Sequence, residues 1–208
     1  DPTSLLTPTL YYGIVEDPFQ PDRYLWLSTA IGLAKFDKLT GKSAANIVRI
    51  SGMDESLNSN TVWDLYMEDS TALWVATLFG GVDVLSFWDK SFHAQIIKPF
   101  SQSDWKVDAS AFYEDWKGNL WVGTMRNGLH LFNSDFELIR NWRNFPVDDI
   151  IFTSKYVINI FEQSNGHFWI GCSGAGLNLL DRISDEITHC KFRDINGLIY
   201  PVVITDIE

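Results

Sequence analysis

The residues best suited to chemistry in this chain are its paired acids, Glu16-Asp17, Glu68-Asp69 and Glu114-Asp115. A glycoside hydrolase needs two carboxyls about 5 to 9.5 Å apart across one sugar bond. Acid pairs that recur along a chain do not supply that constellation at a single site, and hairpin-turn and edge roles account for them. Asp64 with Asp83 is the one nearby unrepeated pair that an enzyme could use. No catalytic residue is assigned, and the chain is expected not to be an enzyme. Cys172 and Cys190 have no histidine at a ligand-like offset, and His93, His167 and His189 fall at unrelated places, so no metal or other cofactor is expected.

The elements that position these groups are set by a repeat. Leu25-Trp26, Leu73-Trp74, Leu120-Trp121 and Phe168-Trp169 place tryptophans 48, 47 and 48 residues apart. Each is followed by an apolar residue, a small residue, then Thr or Cys, which reads as one strand. Gly32, Gly81, Gly128 and Gly176, each with an aliphatic partner, open a second alternating run. Upstream lies an earlier strand, marked by Tyr11 and Ile14, Val62 and Leu65, Ala109 and Phe112, and Val157 and Ile160. Turn formers such as Asp115-Trp116-Lys117-Gly118-Asn119 join it to the Trp strand, because Asp, Asn and Gly tolerate the positive φ of a tight hairpin. A weaker fourth strand runs through Ala45 to Ile50, Ala94 to Ile97, Glu137 to Trp142 and Glu186 to Phe192.

Four short strands per period of about 47 residues define an all-β chain of four-stranded antiparallel β-propeller blades. The expected repeats are 10–59, 60–107, 108–155 and 156–201, with 202–208 the first strand of a fifth blade. The ring is therefore expected to be incomplete, cut from a larger, seven-bladed propeller. Its open edges are expected to be covered by the remaining blades or by a second copy of the chain. The repeated Trp26, Trp74, Trp121 and Trp169 are expected to be packing elements between blades. The two cysteines should lie on the second and fourth strands of one sheet, about 10 Å apart and unbonded.

A net charge of −11 leaves no broad basic footprint for nucleic acid or an anionic membrane surface. No window approaches the roughly 20 apolar residues of a membrane span, and the opening Asp-Pro-Thr-Ser is no signal peptide. A signal and a membrane helix are expected to lie outside this stretch.

Residues 114–124, Glu-Asp-Trp-Lys-Gly-Asn-Leu-Trp-Val-Gly-Thr, followed by Asn127-Gly128-Leu129, closely resemble the two-component regulator propeller repeat, and the likeness recurs along nearly the whole chain. The resemblance implies a periplasmic sensor region of a membrane-anchored hybrid histidine kinase, with tandem seven-bladed propellers that answer to oligosaccharides. Departures are Leu27-Ser28-Thr29, Val75-Ala76-Thr77 and Cys172, none of which changes a group with known chemistry.

Ligand specificity should lie where the repeats differ: in the long links from each fourth strand to the next blade, and in the short loops after the Trp strand. Asp104 and Trp105 belong to one link, and Arg140, Trp142, Arg143 and Phe145 to another, with Phe79 and Arg126 in the short loops. Aromatic faces stack on sugar rings and arginine forks bind carboxylate or sulfate, which fits a neutral or acidic oligosaccharide. The alternative for Trp105, Trp142 and Phe145 is that they cover the blade tops or contact a neighbouring blade, and the alternative function is an interaction scaffold whose propeller face binds a protein partner. Ala34, Asp83, His130 and Asn178 occupy equivalent places in the third strand, lining a channel or facing solvent.

Overall fold

The computed structural model describes residues 13–53, 56–68, 70–88, 92–95, 108–135, 137–142, 156–173 and 176–190. Among them are four antiparallel four-stranded sheets and no helix. The first sheet holds β1 (Ile14–Glu16), β2 (Tyr24–Thr29), β3 (Gly32–Asp37) and β4 (Lys42–Ile47), and the second β5 (Val62–Glu68), β6 (Ala72–Thr77), β7 (Gly81–Ser86) and β8 (Phe92–Gln95). The third holds β9 (Ala109–Glu114), β10 (Leu120–Thr124), β11 (Leu129–Phe132) and β12 (Leu138–Trp142), and the fourth β13 (Tyr156–Glu162), β14 (His167–Ser173), β15 (Gly176–Asp181) and β16 (Ile187–Cys190). Strands pair in chain order in every sheet, the up-and-down arrangement of a propeller blade. The first two sheets belong to one compact unit, residues 1–109, and the last two to another, residues 110–208.

The second hairpins of the first three sheets are closed by the same device. A threonine hydroxyl ending the Trp strand donates to the carbonyl of the glycine that opens the next one: Thr29 to Gly32 at 2.7 Å, Thr77 to Gly81 at 3.1 Å, Thr124 to Gly128 at 2.8 Å. Those glycines, with Gly176, have positive φ, which explains the residue type. In the fourth sheet Cys172 replaces the threonine and accepts from Asn178 Nδ2 at 3.5 Å.

The first hairpins carry a second device. The indole N–H of each repeated tryptophan donates to a side-chain oxygen at the end of the preceding strand: Trp26 to Asp17, Trp74 to Glu68, Trp121 to Asp115 and Trp169 to Gln163. The acids of the turns thus satisfy the polar atom of a ring that must otherwise be buried. Trp26, Trp74 and Trp121 are buried, while Trp169 is half-buried. In the second unit Trp121 stacks on Phe168 of the neighbouring sheet at 4.1 Å and on Trp142 at 5.3 Å, within a core that includes Leu129, Val157 and Ile170. Gly123 is required there, because a Cβ would come within 2.6 Å of Val157 Cγ1. The first unit's core gathers Trp26, Leu33, Leu57, Leu65, Leu73 and Val75.

Two expectations are corrected. The fourth strand of the first sheet starts at Lys42 and not Ala45, because the turn from Asp37 to Gly41 closes tightly, with Gly41 N–H donating to Asp37 C=O at 2.9 Å. Ala34, Asp83, His130 and Asn178 face neither a channel nor solvent, being 0 to 1% exposed. Cys172 and Cys190 are unbonded and lie on β14 and β16.

Candidate functional site

The up-and-down topology gives each sheet two ends. At one end lie the turn after the Trp strand and the link to the next sheet. At the other lie the first and third hairpin turns. Phe79 sits at the first kind of end, in the β6–β7 turn, half exposed, with φ of 60°. That costly backbone is held by its N–H, which donates to Asp108 Oδ1 at 2.6 Å. Arg126 is exposed in the β10–β11 turn, beneath which Asn127 N–H donates to Thr124 Oγ1 at 3.0 Å. Phe79 and Arg126 thus occupy matching turns in the two separate units.

Arg140 and Trp142 are placed differently from the expected link: both lie on β12. Trp142 Nε1–H donates to Asp185 Oδ1 at 3.1 Å, the Arg140 guanidinium pairs with the same carboxylate, and it also lies 5.5 Å from the Trp142 ring. Asp185 itself has φ of 66° in the turn between β15 and β16. The trio joins neighbouring sheets within the second unit. Asp104, Trp105, Arg143 and Phe145 lie outside the described residues, as do Asp69 and residues 1–12 and 191–208.

Asp83 is the site residue whose character sequence reasoning missed. It sits on β7 opposite Val75, fully buried, and receives the backbone N–H of Asn58 at 2.9 Å and its side-chain Nδ2 at 2.5 Å. Burial pushes its carboxyl up to about 6 against the pull of the Asn58 hydrogen bonds. The Asp64 carboxylate accepts from Leu65 N–H at 2.8 Å. With each of its oxygens accepting a hydrogen bond from Asn58, Asp83 anchors the link that carries Leu57 into the core. The signal was its place: an acid where the other repeats carry Ala34, His130 and Asn178. Among the described residues no group of three or more His, Cys, Asp or Glu is arranged to hold a metal.

No protein-family model matches the chain, and no curated protein does. Solved structures do. Over 95% of its length it is similar, at 25% identity and a TM-score of 0.66, to the extracellular domain of the "putative hybrid two component system BT3049" from B. thetaiotaomicron. Two structures of the extracellular domain of BT4673 from the same organism match over 92% and 95% of the chain at 17% identity, with TM-scores of 0.66 and 0.67, and show the fold alone. The chain spans about a quarter of the length of these structures, 24 to 29%. The likeness expected from the repeats therefore holds: its structural neighbours include extracellular domains described as those of hybrid two-component systems, and they share its all-β, propeller-like architecture.

Proposed function

We propose that this chain is part of the extracytoplasmic ligand-sensing propeller of a two-component signalling protein. The parent is a membrane-anchored hybrid histidine kinase whose periplasmic propellers have seven blades, and the ligand is an oligosaccharide. The observation that carries the proposal is the 25% identity spread over 95% of the chain to an extracellular domain of a hybrid two-component system.

The ligand is met by the loops after the Trp strands and the inter-sheet links, where Phe79 and Arg126 are exposed and where Asp104, Trp105, Arg143 and Phe145 belong by sequence. Signalling requires that the ligand bind two arrangements of the parent with different affinity. The blades bounding this stretch pack on further blades of the parent or on a second copy.

The test is the solution mass of the chain by light scattering, then thermal shift of the same sample against neutral and acidic oligosaccharides. An oligosaccharide that raises the melting temperature in the parent chain, and fails with Arg126→Ala, supports the proposal. Equal shifts in both proteins, or none across the panel in a folded sample, overturn the ligand assignment.

A further inference from the structure

The other end of the sheets holds a tryptophan that the fold does not use. Trp116 follows Asp115 in the β9–β10 turn and is 76% exposed. The turn itself is closed without it: Asp115 Oδ1 accepts from Lys117 and Asn119 N–H, both at 2.9 Å, and Gly118 N–H donates to Asp115 C=O at 2.8 Å. At the same place the other repeats carry Pro18, Asp69 and Ser164. Leaving an indole in water forgoes the burial that makes the repeated tryptophans stabilising.

Beside this ring is an open pocket of about 340 Å³ lined by Trp116, Glu162, Gln163 and Ser164, all within the second unit. The volume suits one sugar ring with room for water. Glu162 ends β13, and its Oε2 accepts the Trp116 backbone N–H at 3.3 Å. Its Oε1 is buried with no hydrogen-bond partner among the described residues, an acceptor that costs stability until a donor reaches it. The terminal torsion of a glutamate is broad, so a small rotation presents that oxygen to the pocket. Gln163 Oε1 is taken by Trp169 Nε1–H at 3.1 Å, which leaves its amide donors for a ligand, and the Lys117 ammonium lies over one face of the Trp116 ring, 5.0 Å from its centre, which leaves the other face for stacking.

An aromatic platform, a carboxylate acceptor, an amide donor and a hydroxyl are the groups that recognise the apolar face and the equatorial hydroxyls of a pyranose. The Glu162 charge and the net charge of −11 disfavour an acidic sugar. We propose that Trp116, Glu162, Gln163 and Ser164 form a binding site for one neutral hexopyranose unit, with the ring stacked on Trp116. The site stands apart from the loops assigned above to the sensed ligand, and it does not depend on that assignment.

The experiment is a ¹H–¹⁵N spectrum of the 208-residue chain, titrated with methyl glycosides of glucose, galactose and mannose and with glucuronic acid as the acidic control. Trp116→Ala, at an exposed position, identifies the Trp116 indole signal by its loss, and an unchanged melting temperature shows that the fold is kept. A single ring in an open pocket binds at millimolar strength. Saturable movement of the Trp116 indole signal by at least one neutral glycoside is expected, with little from glucuronate. Glu162→Gln is expected to weaken binding roughly tenfold, the effect of losing a charged acceptor. A Trp116 signal that stays in place for every neutral glycoside, that moves equally with glucuronate, or that titrates identically in Glu162→Gln overturns the proposal. Movement confined to signals of Phe79 or Arg126 overturns it too, while supporting the sensing loops.

Discussion

Asp115 and Trp121 are joined by a hydrogen bond from indole Nε1 to carboxylate Oδ2 at 3.2 Å, and the same oxygen holds Arg182 Nη1 at 2.8 Å. Arg182 in turn lies 5.6 Å from the centre of the Trp121 ring and 5.8 Å from that of Phe168. One buried carboxylate therefore fixes a turn, a ring and a cation from the neighbouring sheet. The first unit repeats the logic with Asp17, Trp26 and Lys35.

Removing the carboxylate leaves both a buried indole N–H and a half-buried guanidinium without a partner. Asp115→Ala is expected to destabilise the second unit by about 3 kcal/mol, the loss typical when one member of a buried pair is deleted. Asp115→Asn keeps an acceptor for Trp121 and should lose less. Urea unfolding followed by tryptophan fluorescence measures the difference.

The acids act in opposite directions on pH. Burial alone would raise the carboxyls of Asp115 and Asp17, but hydrogen bonds and the Arg182 and Lys35 cations hold both below the ordinary range. Their stabilisation is present above the unfolded carboxyl value and is lost as pH falls through the depressed folded one. Asp83 is the reverse: with its folded value at about 6, the folded state keeps the proton more tightly than the unfolded chain. Its contribution is fully present below about pH 4 and is lost as pH rises through about 6. Asp83→Asn, the residue type that Asn178 supplies in the fourth sheet, should flatten the fall in melting temperature between pH 4 and 7. An unchanged slope would mean that Asp83 is not the group responsible.

Gly123→Ala places a methyl 2.6 Å from Val157 Cγ1 and 3.2 Å from Ala111 Cβ, inside a packed core. A loss of about 1 to 3 kcal/mol is expected from overpacking. In a double-mutant cycle, Val157→Ala should reduce the cost of the added methyl; strict additivity would show that the two do not meet.

Burial pushes the Cys172 thiol up to about 12, and Cys190 is raised less and is partly exposed. Iodoacetamide at neutral pH should label Cys190 in the folded protein and reach Cys172 only on unfolding, as mass spectrometry of timed samples will read. Equal labelling rates would place Cys172 in a far more open sheet than the one described.

The sequence by itself determined the sheet architecture. Trp spacing, the glycine of each second hairpin with the threonine before it in three sheets, and the acid of the first turn in three sheets are local requirements. Hydrogen bonds within one hairpin and positive φ are satisfied by residues a few positions apart, so their pattern is readable in one dimension. Only the tertiary structure decided that the third-strand position shared by Ala34, Asp83, His130 and Asn178 is buried, because a strand's alternation marks two faces without saying which is covered. It also decided that Arg140 and Trp142 belong to Asp185, and that Glu162 stands against Trp116. Those partners are over 40 residues apart, and such pairings depend on how neighbouring sheets stack, which no spacing within a single repeat encodes.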